Sequence, residues 1–443
     1  MKDTIVAIAT AFQEGAISII RLSGDQALLI ADSLFSKDLM HAKSHTITYG
    51  YIKDPLTQEL VDEVLVSVFL APKTFTRENI VEIHCHGGTF ITKKVLRLCL
   101  ANGARLAEKG EFTRRAFLNG RIDLTQAEAI HDMIMAQNDV HTKMAMQGIK
   151  GSVRRLLEPL IQDVLDIIAN IEVNIDYPEY DDVVQLTNTM ILPTAKQWVE
   201  KIDAILQQAE SGKVLKEGIK TAIVGKPNVG KSSLLNALLE EEKAIVSDVE
   251  GTTRDLVEGS IVLHGITLHL IDTAGIRDTE DKVEKIGIQR SRKAIEEAQL
   301  VIVVLDGSKH LDEQDEELLA LAKEKTHLIV YNKADLVQKK RDGISVCAKH
   351  GEIDGLMQAL QELYASHKLV VDTPLLANER QIALILRAKK AMQQAIEAMH
   401  QGFELDLVEI DIQDAYMSLK EILGEAHRED LLDTLFTNFC LGK

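Results

Sequence analysis

The chain has few cysteines, a deficit of positive charge and no long apolar run. Its four cysteines, Cys85, Cys99, Cys347 and Cys440, form no Cys-x-x-Cys pair and show no metal-ligand spacing. That argues against a disulfide framework or a zinc ribbon and fits a reducing compartment. Lys and Arg number 50 against 68 Asp and Glu, a formal net charge of −18. Such a surface is no general nucleic-acid binder, so any RNA contact must be local or brought by a partner. No stretch approaches the roughly 18 apolar residues of a membrane span. The short apolar run Thr4–Phe12 lacks a strong cationic lead and meets Glu14, so it reads as a strand rather than a signal peptide. Internal repeats and low-complexity tracts are also absent from the sequence. The expectation is a soluble, cytoplasmic protein. Its 443 residues, 46% hydrophobic, allow a sizeable core and about two to four domains.

What is present is an ordered trio of short motifs. Gly225-Lys226-Pro227-Asn228-Val229-Gly230-Lys231-Ser232 fits GxxxxGK[ST]. It follows the apolar run Thr221-Ala222-Ile223-Val224, which predicts a buried strand, and precedes Leu234–Leu239, which predicts a helix. In that setting backbone N–H groups turn inward around phosphates, and the helix N-terminus favours negative charge. Lys231 would reach the β- and γ-phosphates and the Ser232 hydroxyl would bind Mg²⁺.

Asp272-Thr273-Ala274-Gly275 closes the predicted strand Leu268–Ile271. There Asp272 would hold Mg²⁺ through water, and the Gly275 N–H would meet a γ-phosphate. Asn332-Lys333-Ala334-Asp335 follows the predicted strand Leu328–Tyr331. Asp335 can accept from N1–H and the exocyclic amine of guanine, a donor pair adenine lacks; a carboxylate left unpaired there rejects adenine. Cys347-Ala348-Lys349 resembles a base-supporting loop, with Cys where Ser is commoner. All three motifs fall at strand C-terminal ends, where open α/β sheets bind ligands.

Around this α/β unit the pattern changes. Residues 1 to about 118 alternate β-rich runs (Ile5–Ala9, Ala16–Arg21, Val64–Phe69, Ile80–His84) with helical stretches near Asp25–Phe35 and Thr92–Ala101, predicting an α+β domain. From Asp123 to Gln208, apolar residues recur at three and four, with a break at the acidic, proline-containing turn Asp176–Asp182 and Trp198 on the apolar side. Helical periodicity returns over Asn378–Gly402 and Gln413–Phe439. The expected architecture is therefore multidomain, α/β plus α. An N-terminal α+β domain covers 1–118, and one helical domain is split over 119–216 and 373–443. A P-loop nucleotide domain at 217–372 is inserted into it, so that its movement pushes on the helices.

In regulatory GTPases a Gln after the DxxG motif orients the attacking water. Here that position is Ile276, which cannot hydrogen-bond. Hydrolysis is then slow, or another group acts; Arg277, Glu280, Asp281 and Glu284 follow, each also readable as a solvated loop charge. Asn228 admits two readings. Its amide caps the loop, or it ligates a monovalent cation that neutralises transition-state charge in place of an arginine finger, with carbonyls before Gly251-Thr252-Thr253 completing the shell.

Longer motifs carry a family resemblance: Ile19-Ile20-Arg21-Leu22-Ser23-Gly24, Val81-Glu82-Ile83-His84-Cys85-His86-Gly87-Gly88, the run Gly110–Ala129, and the ending Phe439-Cys440-Leu441-Gly442-Lys443. Over nearly its full length the chain resembles the bacterial tRNA-modification GTPases of the MnmE (TrmE) family, within the TrmE-Era-like GTPases. The resemblance implies a folate-binding-like N-terminal domain that drives homodimerisation. That domain would hold 5-formyl- or methylene-tetrahydrofolate through Arg21, Glu82, Arg121 and Lys443, with Arg121 standing where many members carry Lys. GTP contacts are implied for Asn228, Val229, Gly230, Lys231, Ser232, Ser233, Ser247, Asp248, Val249, Glu250, Gly251, Thr252, Thr253, Asp272, Thr273, Ala274, Gly275, Asn332, Lys333, Asp335, Ala348 and Lys349. Ser232 and Thr253 are implied Mg²⁺ ligands; Asn228, Ser247, Val249 and Thr252 are implied K⁺ ligands. Glu284 matches the catalytic glutamate, acting on the attacking water through a second water. The two nucleotide domains of the dimer would close on each other in GTP and potassium. A separate flavin-dependent partner, MnmG (GidA), would join in a heterotetramer. Together they would add an aminomethyl or carboxymethylaminomethyl group at C5 of the wobble uridine of certain tRNAs.

Other features carry plainer expectations. His84 and His86 share one strand face without a third ligand, and Cys440 reads as a buried cysteine or a reactive thiol near the one-carbon donor. His264 and His269 read as surface strand residues, and the acidic run Asp312–Glu317 as a solvated face. The competing function is a ribosome-assembly GTPase switch. It calls for a basic RNA-binding appendage, and the flanking helices offer no dense basic stripe and no stacking aromatics.

Overall fold

The computed structural model describes residues 3–176, 188–241, 257–263, 266–271, 284–337, 343–363, 376–426, 436, 439 and 442. The chain divides into two compact units: Met1–Met135, Gly148–Leu186 and Gln401–Lys443 form the first, and Ala136–Gln147 with Thr187–His400 the second.

The first unit is built on a sheet of β1 (Ile5–Ile8), β2 (Ile17–Ser23), β3 (Thr46–Lys53), β4 (Leu60–Phe69), β5 (Ile80–His86) and β6 (Arg105–Leu106), in the order β3-β4-β5-β2-β1-β6. Neighbours are antiparallel except β1 and β6. Helices α1 (Ala27–Leu34) and α2 (Thr89–Ala101) bury their apolar stripes with the inward residues Ile20, Leu22, Val66, Val81 and Ile83. The β2–β5 register sets Arg21 opposite Glu82, residues far apart in sequence. Past β6, α3 (Glu111–Leu118) carries Arg115, which is 1% exposed and paired with Asp3, Glu78 and Glu111 at 2.9–3.1 Å. Three carboxylates around one buried guanidinium satisfy the charge that burial would otherwise penalise. Next come α4 (Leu124–Met135) and, after α5 (Asp139–Ile149), which falls mostly in the second unit, α6 (Ser152–Asp176). A small apolar cluster joins Phe117, Leu124 and Ala127 to Phe436 and Phe439 from the far end of the chain.

The second unit holds α7 (Asn188–Glu217), β7 (Ile219–Val224), α8 (Lys231–Glu241), β8 (Val257–Leu263), β9 (Ile266–Ile271), α9 (Glu284–Glu297), β10 (Leu300–Asp306), α10 (Glu313–Ala322), β11 (Thr326–Asn332), β12 (Ile344–Ser345), α11 (Asp354–Leu363) and α12 (Glu379–Gln401). Its sheet runs β12-β11-β10-β7-β9-β8, with only β8 antiparallel to its neighbour. Apolar clusters lie on both faces. A parallel strand covered on both sides must be apolar throughout, and β10, Leu-Val-Ile-Val-Val-Leu before Asp306, is buried at every one of those positions. Trp198 on α7 is fully buried, as its periodicity predicts.

Three expectations need correction. Within the helical stretch expected over Gln413–Phe439, α13 (Leu405–Leu423) stops at Gly424, whose φ of +78° is the left-handed cap that stops helices; Phe436 is helical again, and residues 427–435 lie outside the described residues. Strand β3 lies outside the expected β-rich runs; its alternation turns Ile47 and Tyr49 to the exposed side and Gly50 and Ile52 to the buried one. His269 is half-buried on β9, and burial lowers its pKa. His264 and the Asp176–Asp182 break, from Tyr177 on, lie outside the described residues. Among the described residues no helix is long and apolar enough to cross a membrane.

Candidate functional site

β7 delivers the chain into the 225–230 turn, and α8 begins at Lys231. Asn228 and Gly230 have φ of +64° and +96°. Gly230 is required for space as well, because a Cβ there would lie 2.2 Å from Asn332 Nδ2. Lys231 folds back over its own loop, donating from Nζ to the Gly225 carbonyl at 2.8 Å and the Lys226 carbonyl at 2.9 Å. Burial pushes its pKa down, and a phosphate would supply the missing counter-charge. Ser232 and Ser233 are exposed in the first turn of α8, beside the N–H groups that open the helix. Asn228 is exposed and makes no hydrogen bond with the described residues through its amide.

The third motif is tied to the first by one side chain. Asn332, only 3% exposed, donates from Nδ2 to the Val229 carbonyl at 2.9 Å and accepts at Oδ1 from the Ala348 N–H at 3.1 Å. Lys333, at φ +63°, donates from Nζ to Asp306 Oδ2 at 2.7 Å. Burial alone would raise the Asp306 pKa; hydrogen bonds from Lys333 and Ser308 outweigh it and hold it at about 2. Asp335 is exposed in a short turn, and its Oδ1 accepts from Cys347 Sγ at 3.1 Å. Burial and that carboxylate together raise the Cys347 thiol pKa. Ala348 is buried and Lys349 exposed.

A further contact lies beyond the motif patterns. Lys226 Nζ is 2.5 Å from Asp312 Oδ2 and 2.7 Å from Asp315 Oδ2. These two acids form the capping box of α10; Asp315, 4% exposed, is the one acid of the Asp312–Glu317 run that is buried, while Asp312, Glu313, Glu316 and Glu317 are exposed as expected of a solvated face. Asp306 escaped notice too. The rule that ligands gather beyond strand C-termini points to it, since it ends β10.

The first unit holds a cavity of about 680 Å³ lined by Arg21, His45, Lys73, Phe75, Arg77, Glu82 and Arg121, among others. Arg21 Nε donates to Glu82 Oε1 at 2.7 Å, and its NH1 to the Gly442 carbonyl at 3.2 Å, which brings the end of the chain to the cavity. Arg121 donates to the Phe75 carbonyl and lies over the Phe75 ring, while Arg77 donates to the Asn119 carbonyl. Among the described residues neither guanidinium meets a carboxylate. Burial, and then the neighbouring Arg77 charge, lower the Arg121 pKa. His84 and His86 take separate partners, Ser67 and Asp62 respectively.

Thus the structure gathers Arg21, Glu82 and Arg121 in one cavity and draws Asn228 to Ser233, Asn332, Lys333, Asp335 and Ala348 around one sheet end. Ser247 to Thr253, Asp272 to Gly275, Cys440 and Lys443 lie outside the described residues. Glu284 opens α9, with its side chain likewise outside them.

Two family descriptions match the chain: "MnmE helical domain" over residues 124–440 and "GTP-binding protein TrmE N-terminus" over residues 4–121. The chain is 49% identical over 456 residues to the tRNA modification GTPase MnmE of Ligilactobacillus salivarius (strain UCC118), covering 100% of this chain and 98% of that protein. It is 48% identical over 459 residues to the protein of the same name from Geobacillus thermodenitrificans (strain NG80-2), covering 100% and 99%. Among solved structures, the G domain of the T. maritima FeoB iron transporter aligns with 34% of this chain and 98% of its own, at 26% identity and a TM-score of 0.24.

Proposed function

The chain belongs to the MnmE family of tRNA modification GTPases, and on that premise we propose that it hydrolyses GTP to drive a modification of tRNA. The observation that carries the guanine-nucleotide reading is Asn332, one buried side chain bonded to the phosphate loop and the base loop together. Lys231 meets the β- and γ-phosphates, and Asp335 reads the base. Ser232 and Thr253 hold Mg²⁺, which when bound spreads the charge of the departing phosphate. The exposed amide of Asn228, with Ser247, Val249 and Thr252, holds K⁺ beside it. Glu284 orients water where Ile276 cannot.

The cavity of the first unit takes a reduced folate. Its volume suits a ligand of that size, and among the described residues Arg121 and Arg77 meet no carboxylate, which a glutamate tail would supply. Arg21 and Glu82 lie at the same cavity, and Lys443 joins them. When bound, 5-formyl- or methylene-tetrahydrofolate supplies a one-carbon unit. The product is an aminomethyl or carboxymethylaminomethyl group at C5 of a wobble uridine, made with the flavin-dependent partner MnmG (GidA). A homodimer whose inserted domains, 217–372, close in GTP and K⁺ gates the step.

Mass spectrometry of tRNA nucleosides from cells lacking the gene tests this reading. Loss of 5-aminomethyl-type uridines is expected, restored by the intact gene and not by Asp272→Ala. An unchanged profile in cells without a second copy refutes the tRNA role.

A further inference from the structure

Cys347 and His350 are three residues apart at the edges of a 3₁₀ turn, Ala348–His350. In that turn side chains three apart eclipse one another. The turn is closed by backbone bonds: His350 N–H to the Cys347 carbonyl at 3.0 Å, Cys347 N–H to the Glu352 carbonyl at 2.9 Å, and Glu352 N–H back to the Cys347 carbonyl at 3.2 Å. Opposite stands Asp335, already bonded to the Cys347 thiol. One thiol, one imidazole and one carboxylate therefore converge, their ligand atoms all within 4.8 Å of one another. Tetrahedral Zn²⁺ with S, N and O ligands wants them about 3.5 Å apart. Two of the three residues, Asp335 and His350, are exposed and free to close that gap. The sulfur favours a borderline or soft cation over Mg²⁺.

We propose that Asp335, Cys347 and His350 form a binding site for a thiophilic divalent cation of the zinc class, filled only when guanine nucleotide is absent. The exclusion rests on Asp335 as the reader of the base, because one carboxylate cannot ligate a metal and accept from guanine together. Ser in place of Cys347 would remove the sulfur and with it the site, so the cysteine sets this chain apart from the commoner loop. Three protein ligands leave a fourth position for water. Metal occupancy would hold the base loop closed against nucleotide entry.

Cobalt(II) chloride serves as probe on the nucleotide-free full-length protein, because thiolate-bound tetrahedral cobalt absorbs strongly in the near ultraviolet. A saturable thiolate-to-cobalt band is expected, lost in Cys347→Ser and weakened about tenfold or more in His350→Ala, a surface change that leaves GDP affinity without metal intact. Mg–GDP should bleach the band; Mg–ADP, with the same phosphates and no guanine edge, should leave it. No band, or one surviving Cys347→Ser, overturns the site. A band that Mg–GDP fails to bleach, or that Mg–ADP bleaches equally, overturns the exclusion. Calorimetry of Mg–GDP on metal-free Asp335→Asn separately tests the base-reading role: undiminished affinity there places the fault in that role rather than in the metal site.

Discussion

Asn332→Ala removes both bonds of the side chain that ties the phosphate loop to the base loop. The Val229 carbonyl loses a donor at 2.9 Å, and the buried Ala348 N–H loses an acceptor at 3.1 Å. Each net bond contributes about 0.5–1.5 kcal/mol, and a buried partner left unsatisfied costs about 1–3 kcal/mol. The sum is about 2–4 kcal/mol, shared between folding of the unit and preorganisation of the site. If half or more falls on binding, GDP affinity drops roughly 5- to 700-fold. Isothermal titration calorimetry with GDP and thermal unfolding of apo protein separate the shares. Asn332→Asp is a sharper probe. It keeps an acceptor for Ala348 but sets a carboxylate oxygen against the Val229 carbonyl, so it should weaken GDP binding at least as much as alanine does. Wild-type affinity and Tm in Asn332→Ala would refute the reasoning, because no other side chain among the described residues bonds both loops.

Lys226→Ala should lower Tm by leaving the buried Asp315 carboxylate unpaired, at a cost of about 1–3 kcal/mol given partial exposure; adding Asp315→Asn should recover most of it, and no recovery would contradict the pairing. The depressed Asp306 pKa contributes stability that is fully present above the ordinary value of 3.8 and is lost as pH falls through about 2. The Tm advantage of wild type over Asp306→Asn should therefore shrink across that window, and a pH-independent difference would count against it. Arg121→Ala should weaken 5-formyltetrahydrofolate about 10- to 100-fold by calorimetry, with Arg121→Lys between it and wild type; unchanged affinity removes Arg121 from the site. Hydrolysis should run faster in KCl than in NaCl at equal ionic strength, and Asn228→Ala should erase the difference; equal wild-type rates dispose of the cation reading.

The legible parts of this molecule are those set by local rules. The strand–loop–helix around Lys231 and the Asn332 motif declare themselves because a phosphate cradle and a base-reading carboxylate each need fixed residue types at fixed spacing. β10 is equally plain, since burial on both faces leaves an unbroken apolar run. Illegible were the long-range partners. Lys226 looks like a filler position and Asp315 like one acid in a solvated run until folding brings them to 2.7 Å. Arg77 and Lys73 carry no motif, and only the cavity shows that they share walls with Arg21 and Arg121. The break after α13 is hidden in the sequence because helical periodicity runs on past Gly424, whose left-handed conformation ends that helix.

The first unit is assembled from three separate stretches of chain, which has a consequence during synthesis. The sheet core with α1 and α2 draws only on residues 6–104 and can close as soon as that segment leaves the ribosome. Phe117 and Leu124, however, share their cluster with Phe436 and Phe439, which come about three hundred residues later in the chain. At about 5–20 residues per second the intervening chain takes roughly 15–60 s to translate. For that interval the nascent protein carries an uncovered apolar patch of Phe117, Leu124 and Ala127, while the second unit has all its own segments once His400 is made. Ribosomes that stop between His400 and Phe436 would release a chain with every segment of the second unit and a sticky first unit, a natural client for chaperones and proteases.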